Sequence, residues 1–153
     1  MKYFLVGYMG SGKTYCGREM AKELGIPFVD LDAYISMVEQ RPISDLFNTK
    51  GEAHFRTLET RYLHEVCKLF ESFVMSTGGG TPCFNGNMDY MNEVGHTIFV
   101  DTDIDTILQR LLKNKRKRPM ISHLKDSEVR DFIEKHLNER MSYYTQAKEV
   151  IHN

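Results

Sequence analysis

The chain contains the octapeptide GYMGSGKT at residues 7–14. It matches the phosphate-loop pattern G-x-x-x-x-G-K-[ST] at every fixed position. The apolar run Tyr3–Val6 before it is typical of a buried strand, and residues 13–24 after it favour a helix that Gly25 ends. This order of strand, glycine-rich turn and helix would place backbone N–H groups and the positive end of a helix dipole on phosphate oxygens. The octapeptide therefore predicts a nucleoside triphosphate site in an α/β fold.

Two side chains of the loop are expected to act on the nucleotide. Lys13 would reach the β- and γ-phosphates, and the Thr14 hydroxyl would ligate Mg²⁺. We predict ATP as the co-substrate. The alternative, a glycine-rich turn with no ligand, is disfavoured because both the motif and its flanking elements match. The residues expected to bind ATP here are Gly10, Ser11, Gly12, Lys13, Thr14 and Tyr15.

Two carboxylates, Asp30 and Asp32, follow a second predicted strand over residues 27–30. Open α/β sheets bind ligands at the carboxyl ends of their strands. In an extended segment these two side chains project to the same side, so both would face the phosphate loop if this strand lies beside the first. One acid would then lie near Mg²⁺ and the other on an acceptor hydroxyl. The alternative is an exposed turn in which Asp32 caps a helix over residues 33–39.

Two arginines in predicted helices point to an anionic acceptor. Arg56 flanks the apolar stripe of a long helix over residues 52–70, and Glu59 is its expected orienting partner. Arg140 lies on the inward stripe of the last helix, where a guanidinium is costly without an anion. Paired guanidinium groups suit a small carboxylate, whereas structural salt bridges are the alternative. The other members of the inward stripe are Val129, Ile133, His136 and Tyr144.

Two further segments complete the predicted site. The triplet Gly78-Gly79-Gly80 follows a third strand over residues 73–76, and it would let a ligand approach the backbone or simply make a tight turn. The basic stretch at residues 113–118 is typical of a solvated loop, or of a lid over about residues 113–125 when ATP is bound. Nucleic-acid binding is disfavoured because no aromatic residues accompany this charge.

The remaining pattern alternates strands with helices. Strands are predicted over residues 97–100 and 149–152, and helices over residues 104–112, capped by Asp103, and from Asp126 or Ser127 to about residue 144. Such alternation favours βαβ units, a parallel sheet and helices on both of its faces. A length of 153 residues suits a single domain, residues 1–153.

Composition narrows the class of protein further. Hydrophobic residues make up 41% and charged residues 27% of the chain, and the net charge is −1, which does not suggest a nucleic-acid partner. Cys16, Cys67 and Cys83 form no C-x-x-C pair and no zinc spacing, so a cytoplasmic protein without a disulfide framework is expected. The first apolar run is too short for a signal peptide or a membrane span, so we expect no membrane association.

Together these motifs resemble the shikimate kinase family. They are GYMGSGKT, FVDLDAYI, GEAHFR, STGGGTP, KRPM and ERMSYYTQA, and they extend from Gly7 to Ala147. The resemblance implies a three-layer P-loop kinase fold with a five-stranded parallel sheet and helices on both faces. It also implies transfer of the ATP γ-phosphoryl group to the 3-hydroxyl of shikimate, which gives shikimate 3-phosphate and ADP in aromatic amino-acid biosynthesis.

The resemblance assigns roles on the acceptor side by position. Asp32 holds the shikimate hydroxyls and is the candidate base, Arg56 and Arg140 bind the carboxylate, and Gly79, with its glycine neighbours, offers backbone to the substrate. The implied catalytic residues are Asp32, Lys13 and Arg118.

On the donor side, Asp30 helps to hold Mg²⁺ through water and partly replaces the acid that many P-loop enzymes carry where Ser76 stands. Arg118 is the lid arginine on the phosphates, and Arg110 packs on the adenine. The family usually continues past the fifth strand with a loop over adenine and a terminal helix, whereas this chain ends at Asn153. We therefore expect a shorter carboxyl end than is usual for the family.

Two other functions remain open from the sequence. One is a different small-molecule kinase of the same fold, such as a gluconate or nucleotide kinase, which a substrate panel would separate. The other is a non-catalytic, kinase-derived binding module, which an ADP-release assay would separate. In each case we expect a monomer whose ligands are small molecules.

Overall fold

Five strands form one parallel sheet in the computed structural model, which describes all 153 residues, Met1–Asn153. The strands are β1 (Lys2–Val6), β2 (Phe28–Asp30), β3 (Phe73–Ser76), β4 (His96–Asp101) and β5 (Glu149–His152). Seven helices lie between them: α1 (Lys13–Leu24), α2 (Leu31–Glu39), α3 (Ile43–Lys50), α4 (Glu52–Leu69), α5 (Asn87–Val94), α6 (Ile104–Lys113) and α7 (Asp126–Tyr144). The predicted α/β class and the five-stranded parallel sheet are confirmed.

The central strand β1 is buried on both faces. Phe4, Leu5 and Val6 are all 0% exposed. Alternate residues of a strand point to opposite faces, and Phe4 and Val6 accordingly belong to one apolar cluster while Leu5 belongs to another. The second cluster includes Ala21 of α1, whereas the first draws on α2 to α7. Helices therefore cover both faces of the sheet, as predicted.

The strand order is β2-β3-β1-β4-β5. β3 thus lies between β1 and β2. The second strand therefore does not lie beside the first, although the prediction for the two acids had required it to. Ser76 at the end of β3 pairs in register with Leu5 on one side and with Asp30 on the other. Because the sheet is parallel, the phosphate loop, the end of β3 and the two acids still meet at one edge.

The start of α2 differs from the prediction. The helix begins at Leu31, and the Asp30 carboxylate caps it by accepting a hydrogen bond from the Ala33 N–H at 3.1 Å. Asp32 therefore lies in the first helical turn, neither extended nor capping. The two acids share one edge of the sheet because a strand end and a helix start adjoin there, and not because they alternate along a strand.

Three further elements depart from the sequence pattern. α3 and α5 form where no helix was predicted. The last helix is capped by Lys125 and not by Asp126 or Ser127. The Lys125 N–H donates a hydrogen bond to the Glu128 carboxylate at 2.8 Å. The predicted cap of α6 is confirmed, since Asp103 accepts from the Thr106 N–H at 2.9 Å.

Candidate active site

The phosphate loop joins β1 to α1 and is held in shape by its own lysine. Gly10 and Gly12 adopt φ values of 80° and 95°, in the left-handed region that favours glycine. The Lys13 ammonium donates to the carbonyl oxygens of Gly7 at 2.6 Å and Tyr8 at 2.9 Å. Burial lowers the pKa of Lys13 to about 7, although the nearby Asp32 carboxylate opposes that shift. The ammonium is thus a buried cation that an incoming phosphate would stabilise.

A cavity of about 350 Å³ opens in front of the loop. It brings together residues from the ends of β2 and β3, from the phosphate loop and from the segment after α6. A nucleotide phosphate and a small acceptor could therefore meet in this space. The lining residues are Met9, Gly10, Gly12, Lys13, Thr14, Tyr15, Asp30, Asp32, Ser76, Thr77, Gly78, Gly79 and Arg118.

Three residues with side-chain oxygen atoms line this cavity close to the end of β3. The Thr14 and Ser76 hydroxyl oxygens lie 3.3 Å apart, and Asp30 pairs with Ser76 in the sheet and also lines the cavity. Hydroxyl and carboxylate oxygens are the ligands that Mg²⁺ prefers. No role was predicted for Ser76 from the sequence. Its position at the end of β3, where ligands bind in such sheets, was the feature that could have identified it.

The Asp32 carboxylate is poorly satisfied by the protein. Its Oδ1 atom is buried and has no hydrogen-bond partner. Burial, with added repulsion from Glu59 and Asp30, raises the pKa of Asp32 to about 6, while Lys13 and Arg56 act in the opposite direction. A buried carboxylate oxygen that has no hydrogen-bond donor in the protein is available to accept a hydrogen bond from a ligand.

Arg56 is fixed by a chain of hydrogen bonds. Its Nη1 donates to Oε1 of Glu59 at 3.0 Å, and Glu59 is 0% exposed. The other Glu59 oxygen accepts from the Thr81 hydroxyl at 2.7 Å, and that hydroxyl accepts from the Gly78 N–H at 2.9 Å. The expected Arg56–Glu59 contact is present. Through Thr81, the same glutamate is also linked to the backbone of the glycine triplet. The guanidinium lies 4.2 Å from the centroid of the Phe84 ring.

The glycine triplet makes room for both arginines. A Cβ atom at Gly80 would lie 2.6 Å from a nitrogen of Arg56, and one at Gly79 would lie 3.1 Å from a nitrogen of Arg140. The Tyr144 hydroxyl donates to the Gly79 carbonyl at 2.6 Å. Side chains at these positions would therefore push the guanidinium groups away, which gives the triplet a purpose beyond a tight turn.

Arg118 and Arg110 occupy different positions relative to the cavity. Arg118 is half-buried and lines it, its Nε atom is unpartnered, and burial lowers the pKa of its guanidinium. Arg110 is exposed and donates to the Gly10 carbonyl at 2.9 Å, outside the cavity lining. Tyr15 lies at the rim and is 72% exposed.

Two residues that support the loop were not predicted. The Ser11 carbonyl accepts from the Thr102 hydroxyl at 2.7 Å and from the Asn153 side-chain amide at 2.8 Å. Thr102 follows β4 directly and is 4% exposed, so its position at a strand end was the signal that could have identified it.

Comparison with known proteins places this geometry in a family. The family model described as "Shikimate kinase" matches residues 9–153. The chain belongs to the shikimate kinase family. It is 48% identical over 150 residues to the shikimate kinase of Bacteroides fragilis, covering 98% of this chain and 83% of that protein. It is 36% identical over 151 residues to the shikimate kinase of Flavobacterium psychrophilum, covering 98% of this chain and 88% of that protein.

Solved structures of the shikimate kinase family superpose closely on this chain. The shikimate kinase of Bacteroides thetaiotaomicron gives a TM-score of 0.93 at 43% identity, covering 99% of this chain and 86% of that one. The shikimate kinase of Acinetobacter baumannii, solved in complex with shikimate, gives 0.88 at 31% identity and covers 99% and 83% of the two chains. The family resemblance and the P-loop kinase fold are therefore confirmed. None of the helices combines the length and the apolar character that a membrane-spanning segment requires.

Proposed function

We propose that the chain transfers the γ-phosphoryl group of ATP to the 3-hydroxyl of shikimate, giving shikimate 3-phosphate and ADP, as a step of aromatic amino-acid biosynthesis. The observation that carries the proposal is the convergence of Arg56, Arg140 and Asp32 around the glycine triplet, beside the phosphate loop. Two guanidinium groups suit a carboxylate, and a carboxylate with a free oxygen suits hydroxyl groups. A sugar-like acid therefore fits this site better than a nucleoside does.

Lys13 and the backbone of the phosphate loop bind the triphosphate. The ammonium group needs a small movement from the Gly7 and Tyr8 carbonyls to reach the β- and γ-phosphates. Phosphate charge raises the pKa of Lys13 again, so the lysine binds as a cation. The helix dipole of α1 adds positive potential at the same place.

Thr14, Asp30 and Ser76 fit a Mg²⁺ ion that comes with the nucleotide. All three residues line the cavity, and the hydroxyls of Thr14 and Ser76 are 3.3 Å apart. Thr14 would ligate the ion directly and Asp30 through water, as hard oxygen ligands do for Mg²⁺. The ion, when bound, neutralises charge on the transferring phosphate.

Asp32 acts on the acceptor. Its unpartnered oxygen accepts a hydrogen bond from a shikimate hydroxyl, which fixes the 3-hydroxyl against the γ-phosphate. With a pKa of about 6 it is ionised at neutral pH and can take up the hydroxyl proton during transfer. Positioning dominates the mechanism, because phosphoryl transfer asks little covalent chemistry of the protein.

Arg118 completes the site from the segment that we propose as a lid, about residues 113–125. It already lines the cavity with an unpartnered Nε atom. The guanidinium would contact the transferring phosphate, where negative charge is greatest in the transition state. Closure of this segment would also exclude water and prevent ATP hydrolysis.

A coupled ADP-release assay tests the proposed function. We expect ADP release to require shikimate, with no comparable rate for gluconate or nucleoside monophosphates. Lys13→Ala is the inactive control, because it removes the cation at the phosphates. Equal rates with gluconate would point to another kinase of this fold, and no ADP release with any acceptor would point to a binding module.

The remaining part of the proposal concerns the setting. We propose a cytoplasmic monomer that acts on small molecules, without a nucleic-acid or membrane partner. The net charge of −1 gives no general attraction for nucleic acid or an anionic membrane surface, which supports the absence of those partners. Light scattering during size-exclusion chromatography measures the oligomeric state, and a dimer mass would contradict the monomer.

A further inference from the structure

One hydrogen bond between the phosphate loop and α7 has no part in the chemistry described above. The Tyr8 hydroxyl and Nδ1 of His136 are 2.9 Å apart, although the residues are separated by 128 positions in the chain. Their rings meet edge to face, with centroids 5.4 Å apart. Tyr8 is 1% exposed, and Phe132 packs on His136 from one turn earlier in α7. The contact is therefore buried on the Tyr8 side and partly exposed on the His136 side.

Each partner adjoins a part of the candidate site. The backbone carbonyl of Tyr8 accepts from the Lys13 ammonium. His136, Arg140 and Tyr144 follow one another at intervals of four residues, so they lie along one face of α7. His136 contacts the phosphate loop, and Tyr144 donates to the Gly79 carbonyl. Arg140 lies between these two attachments.

The two substrate-facing arginines are held in different ways. Arg56 has a buried ion-pair partner, Glu59, that orients its guanidinium. Arg140 forms no salt bridge in the structure, and its Nη1 would lie 3.1 Å from a Cβ atom added at Gly79. The placement of Arg140 is thus set by where α7 lies, and α7 is attached to the site through Tyr144 on one side and His136 on the other.

We propose that His136 is a positioning residue for the acceptor. Its hydrogen bond to Tyr8 holds the turn of α7 that carries Arg140 in place against the phosphate loop. It thereby supports binding of the substrate carboxylate without touching the substrate. The inference rests on the proposed function, in which Arg140 binds that carboxylate. Burial and the neighbouring Arg140 lower the pKa of His136, so its neutral ring can accept from the Tyr8 hydroxyl.

The test variants are chosen to remove or to replace the two atoms of the contact, the Tyr8 hydroxyl and Nδ1 of His136. His136→Leu removes the acceptor, and Tyr8→Phe removes only the hydroxyl. His136→Asn keeps an amide group at the position of Nδ1, whereas His136→Gln moves it one bond further out. Steady-state kinetics with each substrate, titration calorimetry with shikimate and a thermal melt of each variant separate binding from folding.

We expect His136→Leu and Tyr8→Phe each to raise the KM for shikimate about threefold to tenfold, the range of one lost hydrogen bond. The value of kcat and the KM for ATP should change little, because the phosphate loop keeps its backbone contacts. His136→Asn should restore most of the shikimate affinity, and His136→Gln should restore less. The double variant Tyr8→Phe/His136→Leu should lose no more than either single variant, since both remove the same bond.

The pair His64 and Tyr90 provides the matched control. These rings stack with centroids 3.7 Å apart, and neither residue lines the cavity. His64→Leu and Tyr90→Phe should therefore leave the KM for shikimate unchanged.

Three results would overturn the inference: an unchanged shikimate KM in His136→Leu, an Asn variant no better than the Leu variant, or additive losses in the double variant. If His136→Leu does not fold, Tyr8→Phe and His136→Asn decide by the same measurements. A wild-type chain that releases no ADP with shikimate would instead contradict the proposed function.

Discussion

At the scale of single residues, Asp32 is a side chain whose hydrogen bonding the protein leaves incomplete. Its carboxylate is in the first turn of α2, it lies near the amide-rich glycine triplet, and one oxygen has no donor. A ligand hydroxyl would satisfy that oxygen, whereas in the proposed function the triphosphate binds to Lys13 and the loop backbone. Loss of the carboxylate should therefore affect the acceptor and not the donor.

We expect Asp32→Asn to lower kcat about 10²–10⁴-fold while ATP affinity stays near that of the wild type. The amide neither takes up a proton nor carries the charge that fixes the hydroxyl. ADP release gives kcat, and titration calorimetry gives the affinity for ATP. Asp131→Asn, at an exposed position of α7, is the control. Near-normal kcat in Asp32→Asn would remove this residue from the mechanism.

The two guanidinium groups should discriminate between the ligands. We expect Arg56→Lys and Arg140→Lys each to raise the KM for shikimate about tenfold or more, with a smaller effect on ATP, because lysine lacks the planar fork that binds a carboxylate through two bonds. Arg61→Lys, on the exposed side of α4, is the control. Equal losses for both ligands would indicate a structural role instead.

Arg56→Lys has an additional expected effect on stability. Glu59 is completely buried and pairs with Arg56, so a poorer partner leaves its charge less compensated. A thermal melt beside the kinetics distinguishes this loss of stability from the loss of shikimate binding.

At the scale of elements, the segment after α6 combines a basic turn with one half-buried arginine. Arg116 and Lys117 are exposed, whereas Arg118 turns toward the cavity and lines it. The charge run is therefore not uniform, and only one of its side chains is placed to meet the phosphates.

We expect Arg118→Ala to lower kcat about 10²-fold and to weaken ATP binding much less, because the guanidinium meets charge that develops in the transition state. Arg116→Ala, two residues earlier and exposed, should behave like the wild type. Kinetics and titration calorimetry on both variants measure the two effects. If only the affinity for ATP falls, Arg118 is a ground-state binding residue.

Elements bounded by clear sequence signals were predicted with their correct limits. α1 ends at Leu24, directly before Gly25, and β3 ends at Ser76, shortly before the glycine triplet, so both were bounded as observed. α3 was missed because it buries only Leu46 and begins after Pro42, which resembles an interruption but is the cap. α5 was missed because it follows Gly86 at φ 67°, in a stretch that resembles a turn.

Contacts between distant elements could not be predicted from the sequence. The phosphate loop and the acids follow from local motifs, but the strand order that separates β1 from β2 is set by packing of the whole sheet. The same holds for the Tyr8–His136 contact, since local periodicity assigns an inward face to His136 without naming what it meets there.

At the scale of the whole molecule, the site costs stability in the absence of ligands. The buried side-chain atoms without a partner include Asp32 Oδ1, Arg56 Nε and Arg118 Nε, and all three belong to the candidate site. Each such atom has lost water without gaining a hydrogen bond. Ligands that supply the missing partners should therefore stabilise the fold.

We expect Asp32→Asn to melt at a higher temperature than the wild type in metal-free and ligand-free buffer. Folding raises the Asp32 pKa from 3.8 to about 6, so the folded state holds its proton more tightly than the unfolded state does. The contribution of Asp32 to the stability of the wild type should thus fall as the pH rises from about 4 through 6, while the variant lacks this loss. The difference in melting temperature should be largest above pH 6 and should vanish near pH 4; a difference independent of pH would contradict the assignment.

The position of β1 at the centre of the sheet has a consequence for biosynthesis. Its two neighbours, β3 and β4, begin only at Phe73 and His96. At a typical translation rate, about 3–13 s pass while the ribosome adds the roughly 65 residues between β1 and its first partner. Once this apolar segment has left the ribosome, and until β3 follows, we expect its backbone groups to be free to pair with other chains. The phosphate loop is thus translated early, and we expect it to become able to hold a nucleotide only when β3 and β4 have closed around β1.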